Sequence, residues 1–435
     1  MLAGASFLHS AAHAGPATLI RDALLIDGTG RAPRPEADIL IQDGRVSRVG
    51  PAGSLQAPSG ATVVDGSGKT VIPGIINLRG LAGLVRSPER RGEDFGHAEI
   101  LSHLGLYASY GVTTVATPAP AERRLIEIRD GVNSGSLPHT ARVLSPFRAL
   151  RAAEPRTERH PRVGAGVATA RTRTHARRLV DRLGRDGADF IEFHDVRTAS
   201  DSELNLGVAS AIVNRSRRFG LRVIALTSMA AAASALVQAG VDVLASSVRD
   251  REVSDAFVED MVAAGVAYAP ALLVEANAFQ FGDLADWLND RYLRRSLRAG
   301  IAGMLRGPVL IRQALDPDRA LKGRRFDTAR RNLRKLAAGG VRIAFASGSG
   351  YPGTFEGYSE YQEAVLMKRA GLTVTEVIRA FSHGSAAALG LEGERGTLEP
   401  GRLADLVILN ASPLENIHNL RELHAVLVGG RLVRL

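Results

Sequence analysis

Hydrophobic and polar positions change texture twice along this chain. From Thr18 to Ile72 the apolar residues come in short alternating stretches separated by glycine turns. That pattern predicts strands at Thr18–Leu25, Ile39–Gln42, Val46–Val49, Thr62–Asp65 and Thr70–Ile72, with Asp27-Gly28 and Asp43-Gly44 as turn pairs. The last forty or so residues repeat the texture: a turn at Gly396–Gly401, a strand at Asp405–Leu409, and a hairpin of His424–Val428 and Arg431–Val433 around Gly429-Gly430. Two all-β ends predict one small β-sandwich domain closed by both termini, residues 18–72 plus 392–435.

Between them, residues 73–391 alternate buried apolar runs with helix-length segments, the pattern of a parallel sheet. Eight runs are predicted as strands: Val71–Leu78, Val112–Thr117, Arg142–Leu144, Phe190–His194, Val223–Leu226, Val243–Ala245, Ala267–Leu273 and Arg342–Phe345. Helices are predicted at Ala98–Ser109, Glu122–Asn133, Ala170–Arg185, Ser202–Phe219, Met229–Ala239, Ser254–Ala264 and Asp327–Ala338. Glycines 111, 187, 220, 240, 265 and 340 stand just before later strands, a regular helix-to-strand turn signal. Eight βα units predict an α/β chain, a (β/α)8 TIM barrel. Residues 275–325 interrupt it as an arginine-rich helical insertion. The first seventeen residues read as a tail or signal-peptide remnant, because Leu2–Leu8 is apolar and Ala12-His13-Ala14 resembles a cleavage site, yet a basic leading segment is missing. Cytoplasmic and secreted locations both stay open.

The 435-residue chain is 45% hydrophobic and 23% charged, an ordinary globular composition. It has no cysteine, which removes disulfides, thiolate nucleophiles and cysteine metal sites, so any transition metal would rest on the eleven histidines and the carboxylates. The net charge is +10, and arginine supplies all but four of the 55 basic residues. These arginines are spread along the chain, densest from Arg142 to Arg185, and aromatics make up only 5%. Such a distribution reads as a solvated basic surface or a preference for an anionic small molecule, with no nucleic acid expected as a partner. No run of eighteen apolar residues occurs, and no membrane partner is expected.

In a TIM barrel, function sits at the C-terminal ends of the strands. Those ends carry Arg79, Thr117, Ser145, Glu192, His194, Asp195, Thr227, Ser228, Ser246, Ser247, Ser347 and Ser349, with a single histidine among them.

Four segments carry a family resemblance: Val71-Ile-Pro-Gly-Ile-Ile; the stretches Gly353–Tyr358 and Ala370–Ala380; and above all the tail Gly396-Thr-Leu-Glu-Pro-Gly-Arg-Leu-Ala-Asp-Leu-Val-Ile-Leu. The chain resembles a metal-dependent amidohydrolase of the imidazolonepropionase and Xaa-Pro-dipeptidase-like branch, from Leu19 to its end. The resemblance implies a TIM barrel with a β-sandwich built from both termini. It also implies one or two divalent ions that activate water against a C–N bond. Its ligand positions fall on Arg79 and Leu81 (the His-x-His), Glu192, Leu226, Ser246 and Gly348. Leucine and glycine offer no donor, and Arg79 sets a fixed cation where a dication would sit. The expectation is therefore no metal ligand set and no cofactor.

Glu192 reads as a charge-compensating partner of Arg79 or as a catalytic or ligand-binding carboxylate. His194, two residues on and so on the same strand face, reads as an acid/base group or as a packed, hydrogen-bonded histidine. Ser246 and Ser349 are polar fillers or binding groups, and Tyr351, with Tyr358 and Tyr361, belongs to a pocket rim or to loop packing. Glu93-Asp94 with His97 and His103 form the only other acidic–histidine cluster, and their spacing does not predict a second metal site. The leading expectation is a non-hydrolytic amidohydrolase-like protein that binds a small, anionic ligand or supports an active relative, as a homo-oligomer or in association with that relative. The first alternative is a metal-independent enzyme with Arg79 as an anion clamp and Glu192 and His194 as acid/base. The second is a C–N hydrolase with unrecognised metal ligands.

Overall fold

A computed structural model of the chain describes residues 17–83, 96–118, 122–153, 166–195, 202–277, 290–297, 315–351 and 353–433. The strands of the two ends share one eight-stranded sheet. Its path runs Arg431–Leu432, Leu423–Val428, Leu406–Leu409, Thr70–Pro73, Thr18–Leu25, Arg34–Gln42, Arg45–Pro51, and Thr62–Asp65 pairs beside Thr18–Leu25. The two halves meet where Thr70–Pro73 lies antiparallel to Leu406–Leu409, with Ile72 opposite Val407. Ile20, Leu25, Ile39, Val71, Leu406 and Ile408 fill its core. The predicted Asp43-Gly44 turn is there, with both residues at positive φ. Gly44 also lies so close to the Gly429 carbonyl that a Cβ would come within 2.9 Å of it, so only glycine fits.

The predicted strand Val71–Leu78 is two strands. Thr70–Pro73 belongs to the terminal sheet and Ile75–Asn77 to a parallel sheet with Val112–Ala116 and Arg142–Leu144. Gly74 is the switch: its N–H bonds the Asp405 carbonyl, while Ile75 N bonds the Gly111 carbonyl. A Cβ on Gly74 would stand 2.2 Å from Thr113 Cγ2. The apolar run alone hides this break, because both halves are buried.

A second parallel sheet runs in the order Val167–Ala170, Ala149–Ala152, Ile191–His194, Val223–Leu226, Val243–Ala245, Ala267–Ala269. The strands Ala149–Ala152 and Val167–Ala170 go beyond the predicted set; four residues each, with an arginine or threonine inside, they show no clear apolar pattern. Pro270 ends the strand predicted to reach Leu273, and helix Leu272–Asn277 follows. Segment 342–349 forms no regular strand but bonds the two sheets. Tyr268 N donates to Arg342 O, Leu78 N to Phe345 O and Leu81 N to Ser349 O, all at 2.8–2.9 Å. At the opposite seam Asp189 N donates to Ser145 O. One apolar cluster gathers inward residues such as Ile76, Ala116, Phe190, Ile224, Val243, Ala267 and Ala344 from these successive strands. Its outward neighbours, such as Val115, Ile191, Val223 and Leu244, pack with the helices. The fold is thus mixed α/β, a TIM-barrel-like domain with an attached sheet domain.

Helix Arg173–Arg185 starts three residues later than predicted, since Ala170 ends a strand and Thr172 caps the helix by accepting from His175 N. Of the predicted insertion, residues 278–289 and 298–314 lie outside the described set, as does residues 1–16 of the tail. The described part includes helix Arg319–Ala338, which begins eight residues before the predicted Asp327. No helix among the described residues is long and apolar enough to cross a membrane. A buried ion pair ties the tail to the barrel: Arg142 Nε donates to Asp405 Oδ2 at 3.0 Å, and Asp405 Oδ1 takes Gly429 N at 2.6 Å.

Candidate functional site

The strand ends place the predicted residues around one mouth. Glu192 and His194 alternate with Phe193 on strand Ile191–His194, so they share the inward face of Phe190. They pair with each other: His194 Nε2 contacts Glu192 Oε1, with the carboxylate buried and the imidazole half-buried. Arg79 reaches another way. Its Nη1 donates to Ser246 Oγ at 3.1 Å, and its guanidinium carbon lies 5.3 Å from the centre of the Tyr351 ring. Its backbone N–H is held by Asn77 Oδ1 at 3.0 Å, and its Nε is buried with no hydrogen-bond partner among the described residues.

The expected pairing of Arg79 with Glu192 is therefore corrected. The histidine two residues along the same strand face satisfies the carboxylate, and the guanidinium turns to the end of strand Val243–Ala245. Ser246 receives it from a left-handed backbone, φ 89°, which a serine adopts at a cost of about 1–3 kcal/mol.

Ser349 stands behind this mouth, fully buried. With Ser347 and Asn77 it surrounds a carboxylate that sequence reasoning missed. Glu360 Oε1 accepts from Asn77 Nδ2 at 2.5 Å, Ser347 Oγ at 2.8 Å and Ser349 Oγ at 2.6 Å, while Oε2 takes Gly357 N at 2.8 Å. The Tyr107 hydroxyl lies 2.6 Å from Ser349 Oγ. Burial pushes the Glu360 carboxyl up to about 7, against the pull of the Ser349 and Ser347 hydrogen bonds. One helical turn on, Glu363 takes Leu273 N at 2.7 Å and Leu272 N at 3.0 Å, and burial pushes it up to about 8. On a helix that also carries lysine and arginine, these glutamates pass for a solvated face. The signal available was their spacing with Ala364 and Met367, which puts them on the buried stripe.

Two other carboxylates have nitrogen-bearing side chains beside them. Glu275 lies 2.5 Å from Arg249 Nη1; burial raises its carboxyl and Arg249 opposes this. Glu356 Oε1 lies 2.6 Å from His103 Nδ1. That contact takes His103 out of the predicted acidic–histidine cluster, whose Glu93 and Asp94 lie outside the described residues. Tyr358 and Tyr361 pack tilted and edge-on against Tyr292, and among the described residues Tyr351 is the aromatic ring set against Arg79.

The ligand positions implied by the resemblance do not fit a divalent metal. Arg79 supplies a cation, Leu81 and Leu226 are buried apolar side chains, and Ser246 is taken by Arg79. Gly348 has no side chain, and a Cβ there would come within 2.4 Å of Val274 Cγ2. Glu192 alone could ligate, and His194 occupies it. Among the described residues no three histidine, aspartate or glutamate side chains come together as a metal-binding group.

Residues 99–434 match the Amidohydrolase family. The chain is similar in structure to a Xaa-Pro dipeptidase with methionine bound in its active site, with a TM-score of 0.75 at 20% identity over 96% of this chain and 99% of that one. It is also similar to Aspergillus (A. niger) ochratoxinase, TM-score 0.72 at 19% identity over 96% and 95% of the two chains. Molinate hydrolase gives 0.72 at 18% identity over 96% and 94%. At such identities the likeness is one of fold. No curated protein sequence matches the chain.

Proposed function

Since the chain belongs to the amidohydrolase family, we propose that it is a member whose mouth holds a small anionic ligand and does not hydrolyse C–N bonds through a metal. The observation that carries this reading is the Arg79–Ser246 contact, which puts a guanidinium among the ligand positions of the family metal. An arginine there repels a dication and attracts a carboxylate or phosphate, whose two oxygens match its planar fork. The buried Nε of Arg79 has a donor to spend on such a group. Tyr351 shields one face of the guanidinium from water.

The Glu192–His194 pair supports a second reading, a metal-independent enzyme using the same mouth. Glu192 fixes His194 through Nε2, which leaves Nδ1 for a proton on or near a bound ligand. The described likenesses to a dipeptidase, an ochratoxinase and molinate hydrolase support a third, a C–N hydrolase whose metal ligands differ from the family set.

Metal analysis of the purified protein, with titration of succinate and inorganic phosphate by calorimetry, separates the metal-dependent reading from the other two, and loss of anion turnover but not of anion binding in His194→Gln would single out the second. Under the proposal, metal is far below one equivalent, chelator changes nothing, and Arg79→Gln weakens anion binding about tenfold or more, as loss of a charged hydrogen bond does. Stoichiometric zinc with chelator-sensitive hydrolysis of a Xaa-Pro dipeptide would establish the third reading and sink the first.

A further inference from the structure

The arginines that look scattered in the sequence are gathered by the fold. Helix Arg173–Arg185 buries Ala176, Val180 and Leu183 against the body and packs along helix Ser202–Ser216. Arginines occupy most of its outward arc: Arg173, Arg177, Arg178 and Arg185 are exposed, and Arg217 and Arg218 follow at the end of the neighbouring helix. The carboxylates on this face are already taken, Asp181 by Arg215 and Asp186 by Arg182. The other arginines have no carboxylate partner among the described residues.

Several observations show that they form one field. Arg215 is bonded to the Asp181 carboxyl, and the charges of Arg185 and Arg218 join it in holding that carboxyl below its ordinary range. The Arg173 side chain lies across to the second helix, where a Cβ on Gly207 would meet its Nε at 2.5 Å. Arg173 and Arg177 then line a groove of about 530 Å³ between the helices, together with Leu206, Ser210, Ala211 and Asn214.

Such a face costs the free protein stability. Arg173 and Arg177, and Arg178 and Arg182, are like charges four apart on one helix, each pair unfavourable by a few tenths of a kcal/mol. We propose that this face docks the phosphate backbone of duplex DNA without reading sequence. From Arg173 to Arg185 the array extends about 18 Å at the helical rise, long enough to meet several phosphates. Guanidinium forks match phosphate oxygens. A membrane fits less well, because the apolar stripe of the helix is buried and cannot insert. Single strands fit less well too, since binding them relies on exposed aromatic stacking platforms and Phe219 is the one exposed aromatic at this face among the described residues. The proposal is independent of the ligand in the barrel mouth.

Fluorescence anisotropy of the full chain with a labelled duplex tests it. Binding is expected at low salt, with log affinity falling against log salt at a slope of about −4 to −5 for five phosphate contacts. The triple variant Arg173→Glu, Arg177→Glu, Arg178→Glu is expected to lose more than about tenfold, and the milder Arg177→Gln, Arg178→Gln about threefold, both with melting equal to the parent's or slightly higher. A control triple of exposed arginines elsewhere, Arg48→Glu, Arg123→Glu and Arg334→Glu, carries the same change in net charge and is expected to bind nearly as the parent does. No duplex binding at low salt, equal loss in the two triples, or patch-dependent binding only to phosphatidylserine vesicles would overturn it.

Discussion

Arg79 Nη1 and Ser246 Oγ, 3.1 Å apart, join the end of the strand Ile75–Asn77 to the end of Val243–Ala245 across the mouth of the barrel. The serine accepts, so it aims the guanidinium without neutralising it. Ser246→Ala is expected to keep the charge and lose the aim, weakening phosphate binding about fivefold, the size of one ordinary hydrogen bond near 1 kcal/mol. Arg79→Gln is expected to lose more. Calorimetric titration of both variants checks the order, and equal affinities in parent and Arg79→Gln would remove the mouth from the argument.

The buried glutamates predict how stability depends on pH. Glu360 and Glu363 are raised in the folded chain to about 7 and about 8. Between their unfolded value near 4.5 and these folded values, the folded state holds protons that the unfolded state has lost. Stability is therefore expected to fall as pH rises from about 5 to about 8, then to level off. For Glu360 the change is on the order of 3 kcal/mol at most. Glu360→Gln is expected to reduce the slope below about pH 7 and leave the part above it, whereas Glu363→Gln is expected to reduce the slope throughout and to end it near pH 7. Urea melts at several pH values would show a parent profile rising with pH if the groups are wrongly placed.

Arg142 and Asp405 make a contrast with surface pairs. Their side chains are only 8% and 5% exposed, whereas those of Arg331 and Glu252 are 56% and 60% exposed. Asp405→Asn leaves a buried guanidinium uncompensated and is expected to cost about 3 kcal/mol. Glu252→Gln is expected to cost under about 1 kcal/mol. Denaturant unfolding of the two variants measures the difference directly.

Gly74 offers a steric test. Gly74→Ala puts a methyl group within 2.2 Å of Thr113 Cγ2 and is expected to destabilise by about 1–3 kcal/mol, as overpacking does. Thr113→Ala removes the obstructing atoms and is expected to restore part of that loss. A Gly74→Ala protein melting with the parent would mean that the two sheets separate more easily than the close packing implies.

Much of the architecture was legible in the order of residues. Most strand positions follow from apolar runs bounded by glycine, and the tail around Asp405 pointed to a sheet shared by both termini. Where the reading failed, the deciding interaction was out of reach of local pattern. The division at Gly74 depends on Thr113 and Asp405, far off in the chain. The partner of Glu192 was misjudged because charge counting favoured Arg79, while strand geometry put His194 nearer. Glu360 and Glu363 were missed because a carboxylate on a helix is usually solvated, and only the serines of segment 342–349 and the start of helix Leu272–Asn277 reveal that these are not. The arginine face was discounted for a similar reason: distance along the chain conceals neighbours on adjacent helices.

The meeting of Thr70–Pro73 with Leu406–Leu409 also sets a timetable for biosynthesis. The strand Thr70–Pro73 must wait for one made more than three hundred residues later before its ladder is complete. Until then Thr70–Pro73 exposes an open edge, and Arg142 has no aspartate to receive it. A nascent chain is thus committed to its final form only once Asp405 and its strand have emerged, and a product cut short before Asp405 would present both defects to the cell's chaperones and proteases.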